Sequence, residues 1–190
     1  VLQVLDHKKN GRYLEIGSGH PASSNNTYLL EIEYDWSGLG IEIDANLVKK
    51  HKEIRINECF EFDATIFDFE RNMKLSNFPT QVDYLSLDID PAKNTYSALL
   101  KIPFNRYRFS VITYEHDRYT GDRKYMDLSR AFLHSKGYQL VVANVNNRGR
   151  DFEDWWVDPE VVLEQNWRRF ESSGLEFSQV FEKAGLTAPP

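Results

Sequence analysis

Residues 14–22 read Leu14-Glu15-Ile16-Gly17-Ser18-Gly19-His20-Pro21-Ala22 and continue a short apolar run at Arg12–Ile16. The run has the composition of a β-strand, and the two glycines after it allow a tight turn and a close approach of the backbone to a ligand. A strand that ends in a glycine turn is typical of nucleotide-binding α/β proteins. The spacing also satisfies the dinucleotide pattern, with Ala22 in the third glycine position.

Glu15 distinguishes between the cofactors that such a turn can bind. A carboxylate beside the turn repels the pyrophosphate of a dinucleotide, but it attracts the ammonium and sulfonium groups of S-adenosylmethionine. The polar residues 23–26 also delay the next helix, whereas a dinucleotide loop runs directly into a helix whose N-terminus meets phosphate. Both features favour S-adenosylmethionine over a nicotinamide cofactor.

The rest of the chain alternates between strand-like and helix-like segments. The predicted strands are residues 12–16, 38–43, 53–58, 82–87, 108–114 and 138–145. The predicted helices are residues 27–34, 45–51, 92–101 and 123–136, the last ended by Gly137. This alternation indicates an α/β fold with a mostly parallel central sheet and helices on both faces.

The pattern changes after Gly137. Residues 138–145 lead through a polar loop to a second strand-like run at 152–157, which predicts a hairpin and one antiparallel strand near the C-terminal end. Pro159 suits the first turn of a helix over residues 160–171. The last three residues, Ala188-Pro189-Pro190, have the composition of a frayed end.

Length and composition limit the class of protein. A chain of 190 residues with 41% hydrophobic residues can bury one core, so we expect a single domain over residues 1–190. The net charge of -6 disfavours a nucleic-acid partner. No run approaches the roughly 20 apolar residues of a membrane span, and the N-terminus has no signal-peptide core, so we expect no membrane insertion.

Two further features bear on location and context. Cys59 is the single cysteine, so no intrachain disulfide can form, and we expect a cytoplasmic protein. The Cys59 side chain is expected to be a small apolar group buried beside a strand. The chain begins at Val1 rather than at methionine. This suggests a domain excised from a longer polypeptide and fused to another enzymatic domain.

Several stretches carry a resemblance to a known family. They are Tyr13-Leu14-Glu15-Ile16-Gly17, Asn26-Thr27-Tyr28-Leu29-Leu30-Glu31, Trp36-Ser37-Gly38-Leu39-Gly40-Ile41-Glu42, Val82-Asp83-Tyr84-Leu85-Ser86-Leu87-Asp88-Ile89 and Val111-Ile112-Thr113-Tyr114-Glu115-His116. Together they resemble the FkbM family of S-adenosylmethionine-dependent O-methyltransferases over roughly residues 11–145. The resemblance implies the Rossmann-like sheet of class I methyltransferases and methyl transfer to hydroxyl groups, often of sugars or macrolide-type natural products. The chain departs from the family at Asp90-Pro91-Ala92-Lys93, where the family usually has an acidic residue, glycine and alanine.

Carboxylates at the ends of the second and third strands suit a nucleoside. Glu42 follows Glu15 by 27 positions, where it can accept both ribose hydroxyl hydrogens, and Asp44 is its near rival. Asp63 can accept from an adenine amino group, and the small Ala64 lets a flat ring approach. The predicted cofactor residues are Glu15, Gly17, Ser18, Gly19, Asn25, Thr27, Glu42, Ile43, Asp63, Ala64 and Asp88.

The acceptor chemistry needs a way to remove a proton. A sugar hydroxyl has a pKa of ~16, so a base must take its proton as the methyl arrives, or a metal must acidify it. In one arrangement His116 is the general base and Asp88 positions the donor methyl or the acceptor. In the other, Asp88, Asp90 and either His116 or Asp117 hold a divalent cation, Mg or Mn, that binds adjacent hydroxyls.

Acceptor contacts are expected from loops and from the hairpin. The candidates are Arg118, Tyr119 and one of Trp155 and Trp156, because alternation along a strand sends the other tryptophan into the core. The leading hypothesis is an O-methyltransferase for a small-molecule or glycan acceptor. The alternatives are an NAD-dependent dehydrogenase, supported by the glycine spacing, and a non-catalytic nucleoside-binding domain.

Overall fold

The computed structural model describes residues 1–187, and the predicted frayed end at 188–190 lies outside them. The strands are β1 (Arg12–Ile16), β2 (Ser37–Glu42), β3 (Glu58–Glu61), β4 (Gln81–Leu87), β5 (Arg108–Glu115), β6 (Gln139–Asn147), β7 (Arg150–Val157) and β8 (Ser172–Ser173). The helices are α1 (Tyr28–Tyr34), α2 (Ala45–Ile54), α3 (Phe69–Leu75), α4 (Ala92–Lys101), α5 (Lys124–Ser135), α6 (Glu164–Trp167) and α7 (Phe177–Lys183).

All eight strands form one sheet in the order β3-β2-β1-β4-β5-β7-β6-β8. Strands β1 to β5 pair in parallel, β7 is antiparallel to β5 and β6, and β8 returns parallel to β6. The predicted mostly parallel sheet with an antiparallel hairpin near the C-terminal end is therefore confirmed. Because strand order reverses at β1 and β4, the carboxyl ends of these two strands border a crevice, where open α/β sheets bind ligands.

Two hydrophobic clusters cover the two faces of the sheet. On one face, side chains of α3, α4 and α5, such as Met73, Leu99 and Leu133, pack with Leu14 of β1. On the other face, side chains of α1, α6 and α7 pack with Tyr13, the neighbour of Leu14 in β1. This alternation of neighbouring residues between opposite faces is the period of a β-strand. No helix in the described part of the chain is both long and apolar enough to cross a membrane.

The strand predicted at residues 53–58 is wrong. Helix α2 continues to Ile54, and β3 begins at Glu58. The apolar alternation that suggested a strand comes from Ile54 and Ile56, which are 44% and 92% exposed, whereas Arg55 between them is buried. The prediction assumed that the apolar residues of the run are buried and the charged one exposed, and the structure has the opposite arrangement.

Other differences concern short helices. The sequence prediction missed α3, and the helix predicted over residues 160–171 is one α-helical turn at Glu164–Trp167 followed by a 3₁₀ turn at Arg168–Phe170. By contrast, α4 has the predicted bounds, and Gly137 follows α5 with a φ of +84° that suits a glycine after a helix. Cys59 is buried in β3, as predicted.

Candidate functional site: an acid-lined cleft at the carboxyl ends of β1, β2 and β4

The turn after β1 is held against its two neighbouring strands. Gly17 donates its N–H to the Ile41 carbonyl at 2.9 Å, and Asp88 donates its N–H to the Ile16 carbonyl at 2.9 Å. Gly17 has a φ of +84°, and a Cβ at this position would lie 1.7 Å from the carbonyl oxygen of Asp88. The backbone of β4 thus occupies the space of a side chain, so the turn requires glycine here for two independent reasons.

Above this turn lies a cleft of about 290 Å³, close to the lower limit of roughly 300 Å³ for small-molecule pockets. Eight of the predicted cofactor residues line it: Glu15, Gly17, Ser18, Gly19, Asn25, Glu42, Ile43 and Asp88. Asp90, predicted as a metal ligand, also lines the cleft. The sequence prediction did not assign three further lining residues, Ser24, Asn26 and Ile89, whose side chains carry no charge.

Glu15 forms the floor of the cleft and is only 2% exposed. Its carboxylate accepts hydrogen bonds from Thr27 Oγ1 at 3.0 Å and from Asn25 Nδ2 at 3.4 Å. Burial raises the pKa of Glu15 to about 7, although the charge of Arg55 and these hydrogen bonds oppose the rise. Thr27 is itself fully buried and reaches the cleft through Glu15.

Glu42 lies at the end of β2 and faces the glycine turn. Its Oε2 accepts the N–H of Gly19 at 2.8 Å, and its Oε1 accepts the N–H of Asp44 at 2.9 Å. Each carboxylate oxygen keeps a further lone pair, so the side chain can still accept hydrogen bonds from two hydroxyls. Asp44 instead caps α2, where its side chain accepts from the N–H groups of Asn46 and Leu47.

A smaller hollow of about 60 Å³ adjoins the cleft and shares Gly17, Glu42 and Ile43 with it. Asp63 and Ala64, predicted for the adenine, line this hollow together with Phe62. The Asp63 carboxylate accepts from Thr65 N at 2.8 Å and from Thr65 Oγ1 at 2.7 Å. The hollow therefore joins an apolar ring and a carboxylate, which is the chemistry that an aminopurine requires.

Further acids gather where β4 and β5 end, beside the first half of β7. Asp88 and Asp90 line the cleft. Burial, then the neighbouring Asp88, Asp117 and Glu153, raises the pKa of Glu115 well above its usual range. Burial and the nearby Asp90 likewise raise the pKa of Asp117. At neutral pH this cluster therefore holds protons as well as charges.

The structure does not bring His116 into the cleft. Its side chain is fully buried, Nδ1 accepts the N–H of Arg118 at 3.2 Å, and Nε2 lies 3.3 Å from Oδ1 of Asp154. An Nδ1 that accepts a hydrogen bond leaves the ring proton on Nε2, which faces Asp154. The lone pair of Nδ1 therefore already accepts the backbone N–H of Arg118. This placement does not support the predicted roles of His116 as general base and metal ligand.

The predicted metal set is also not assembled. Asp88 and Asp90 lie at the cleft, but His116 does not. Asp117 lies near Asp90, yet the described residues contain no group of three or more His, Cys, Asp or Glu side chains arranged to hold a metal ion. His116 belongs instead to a buried network around Asp154. Burial would raise the pKa of Asp154, but hydrogen bonds from Arg130 and the adjacent His116 ring hold it below the ordinary value.

We expect His116→Ala to destabilise the protein rather than to disable a proton transfer. Loss of the imidazole leaves a buried gap beside Asp154, which should lower the free energy of unfolding by about 1–3 kcal/mol in urea denaturation. Binding of S-adenosylhomocysteine in calorimetry should stay within about twofold of the parent value, since His116 does not line the cleft. The exposed His7, changed to Ala, is the matched control. Unchanged stability with a loss of methyl transfer of about 100-fold would instead restore the general-base role.

The candidate acceptor residues lie outside the cleft. Trp156 is fully buried, which confirms that one of the two tryptophans enters the core, and Trp155 packs on Phe177 and Phe181. Arg118 forms an ion pair with Asp151, and Tyr119 is 47% exposed. Their roles in acceptor binding stay predictions.

Comparison with known proteins supports the architecture. No protein-family model matches the chain, and no curated protein matches it. Among solved structures, the methyltransferase domain of METTL16 aligns with a TM-score of 0.57 and 13% identity, covering 83% of this chain and 64% of that domain. Fibrillarin from Aeropyrum pernix, with S-adenosyl-L-methionine natively bound, aligns with a TM-score of 0.52 and 14% identity, covering 79% of this chain and 67% of that chain. A putative rRNA methylase from Clostridium thermocellum aligns with a TM-score of 0.51 and 12% identity, covering 79% of this chain and 87% of that chain.

At these identities the likeness shows the fold. The chain spans slightly less than two thirds of the METTL16 domain that it matches. The resemblance to the FkbM family stays a prediction, since the matching structures share an architecture rather than that family's sequence. The geometry of the sheet and these matches together show that the chain has the Rossmann-like fold of class I S-adenosylmethionine-dependent methyltransferases.

Proposed function

We propose that this chain is an S-adenosylmethionine-dependent O-methyltransferase that acts on a hydroxyl group of a sugar, a glycan or another natural product. The observation that carries the proposal is the charge of the cleft. Its described lining includes the four acids Glu15, Glu42, Asp88 and Asp90, and no lysine or arginine. Such a lining attracts a nucleoside that bears ammonium and sulfonium charges.

The same lining argues against an NAD-dependent dehydrogenase. A pyrophosphate placed at the glycine turn would face the buried Glu15 carboxylate without a compensating cation among the described lining residues. In addition, α1 begins only at Tyr28, so its N-terminus is not the direct continuation of the turn at Gly17 and Gly19. The acid lining also supports the expectation that the acceptor is not a nucleic acid, because phosphates would be repelled.

The residues fit the donor in three places. Glu42 has lone pairs free for two ribose hydroxyls, Asp63 and Ala64 line the hollow suited to an adenine, and Glu15 offers its charge to the amino-acid end. A Cβ built on Gly19 meets no atom within 4 Å, which leaves the space above the turn open. When bound, S-adenosylmethionine would supply a methyl group on a positively charged sulfur.

Asp88 is the residue best placed to handle the acceptor. The acceptor oxygen forms a bond to the methyl carbon while the carbon–sulfur bond breaks, so the sulfonium becomes a neutral thioether and the hydroxyl proton must leave. Asp88 lines the cleft and, in this proposal, takes that proton, while the neighbouring protonated Glu115 limits the charge that gathers there. Asp90 orients the acceptor from the same edge.

A ligand panel tests the donor. S-adenosylhomocysteine at 100 times its Kd should stabilise the fold by ~2.7 kcal/mol and raise the Tm, while NAD should leave the Tm unchanged. Methyl transfer from a labelled donor to a panel of sugars and hydroxylated natural products then tests the acceptor. Stabilisation by NAD alone would contradict the proposal, and transfer to amines but not to hydroxyls would contradict its O-methylation part.

The role of Asp88 has its own test. Asp88→Asn keeps the size of the side chain but removes its basicity, so the rate of transfer at saturating donor should fall by about 100-fold. Asp127→Asn, on the exposed face of α5, is the control. A rate that survives in Asp88→Asn but is abolished by a chelator would favour the divalent-cation arrangement instead.

A further inference from the structure

Arg55 is a buried cation immediately behind the cofactor turn. It follows α2, and its side chain is 0% exposed. A buried guanidinium is costly unless its donors are all satisfied and its charge is paired. Its position behind the cleft, rather than in it, separates it from the residues that would touch a ligand.

Every nitrogen of Arg55 has a partner. Nε donates to Oε2 of Glu31 at 2.7 Å, and Nη2 donates to Tyr13 Oη at 3.0 Å and to Thr27 Oγ1 at 2.9 Å. Nη1 donates to the Pro21 carbonyl at 3.0 Å and to Asn25 Oδ1 at 3.1 Å. Three of the five partners therefore belong to residues 21–27, the loop that connects the glycine turn to α1.

The far side of Arg55 is anchored. The other carboxylate oxygen of Glu31 accepts the N–H groups of Ile56 at 2.6 Å and Asn57 at 3.2 Å. Burial would raise the pKa of Glu31, but hydrogen bonds from Arg55 and Ile56 lower it to about 2. Glu31 therefore stays ionised and links the guanidinium to α1 and to the segment after α2.

The near side of Arg55 connects to the cleft through two side chains. Thr27 Oγ1, which accepts from Arg55, donates to Glu15 at 3.0 Å. Asn25, which accepts from Arg55 through Oδ1, donates through Nδ2 to the Ser18 carbonyl at 2.8 Å. Glu15, Ser18 and Asn25 all line the cleft. Arg55 thus sets the position of the loop and, through Thr27, of the Glu15 carboxylate.

We propose that Arg55 is a positioning residue of the cofactor cleft, which holds residues 21–27 and the Glu15 carboxylate in the arrangement that receives the ammonium end of S-adenosylmethionine. The inference rests on the proposed function. Beyond that function, the inference states that Arg55, which does not line the cleft, affects the binding of the amino-acid end of the donor and not that of its nucleoside end. Among the described residues, Glu42, Asp63 and Ala64 of the proposed nucleoside end make no hydrogen bond or ion pair with Arg55, so this end should be independent of it.

Two nucleosides separate the two ends of the cleft. S-adenosylhomocysteine carries the amino-acid end, and 5′-methylthioadenosine lacks it. In calorimetry we expect Arg55→Lys, Arg55→Met and Thr27→Val to weaken S-adenosylhomocysteine by about tenfold or more, with 5′-methylthioadenosine within about twofold of the parent value. Lys52→Met, an exposed cation in the last turn of α2, is the matched control and should change neither affinity.

Each outcome decides the question. Selective loss of S-adenosylhomocysteine supports the inference, whereas a parallel loss of both ligands, or unchanged affinity in a folded variant, overturns it. Thr27→Val removes only one hydroxyl and decides the matter if neither Arg55 variant folds. If the parent protein binds 5′-methylthioadenosine and S-adenosylhomocysteine equally well, the inference fails and the proposed function stands. If it binds neither, the proposed function fails and the inference with it.

The pH dependence gives a second readout. The ionisable groups around Glu15 include Arg55 after α2, Tyr13 in β1, Cys59 in β3 and Tyr84 in β4. Glu31 of α1 pairs with Arg55 and stays ionised, since its pKa is about 2. Burial raises the pKa values of both phenols and of the thiol, so these three groups stay neutral near pH 7. Without the Arg55 charge Glu15 should ionise only at higher pH, so the affinity that Arg55→Met loses at pH 7 should partly return at pH 8.5. A loss of equal size at both pH values would contradict an effect through Glu15.

Discussion

Replacing Glu42 by Ala should weaken the binding of S-adenosylhomocysteine by roughly 300-fold, or ~3.4 kcal/mol. In the proposed complex the change removes the acceptor of two ribose hydroxyls, and it also releases the N–H of Gly19, which Glu42 Oε2 accepts at 2.8 Å. Titration calorimetry with the folded variant measures the effect directly.

Asp44→Ala is the matched control for Glu42. The two acids are separated by one residue, but Asp44 caps α2 through the N–H groups of Asn46 and Leu47. Its loss should cost about 1 kcal/mol of stability and leave the affinity within about twofold. The reverse result, a large affinity loss in Asp44→Ala and a small one in Glu42→Ala, would assign the ribose to Asp44.

The second large effect is expected at Gly17. Gly17→Ala places a Cβ 1.7 Å from the Asp88 carbonyl oxygen and requires a φ of +84°, so the turn and the end of β4 must separate. We expect a loss of about 4 kcal/mol or more in urea denaturation, or no folded protein.

Gly19→Ala is the control because it shares the positive φ but not the clash. Gly19 has a φ of +53°, and a Cβ there meets no atom within 4 Å. The expected cost is about 1 kcal/mol. Equal costs at the two positions would show that the backbone conformation alone, and not the approach of β4, requires glycine at Gly17.

The fold could be predicted from local patterns because its central strands are buried on both faces. The runs that became β1, β4 and β5 are apolar and bounded by turn residues, so their composition identifies them without knowledge of their partners. The prediction failed around Ile54, Arg55 and Ile56, where exposed apolar residues flank a buried charge. Arg55 is tolerated there because Glu31 and residues 21–27 surround it, and these lie far from it in sequence.

That several residues line one cleft could also be predicted from the sequence. Glu15, Gly17, Gly19 and Glu42 follow strands directly, and in a parallel sheet the carboxyl ends of neighbouring strands meet at one edge. The placement of His116 could not. His116 also follows a strand, but a strand end does not determine which way a side chain points, and this one turns into a buried network with Asp154 of β7.

The sequence by itself thus determined the class of fold, the positions of most of its strands along the chain and the carboxylates around the glycine turn. These features depend on residue type and on spacing within one segment, which local sterics and hydrophobic periodicity control. Only the tertiary structure decided that His116 is buried beside Asp154 and that Arg55 holds the cofactor loop. Both outcomes depend on pairing between distant segments, since a buried polar group takes its role from the partners that satisfy it.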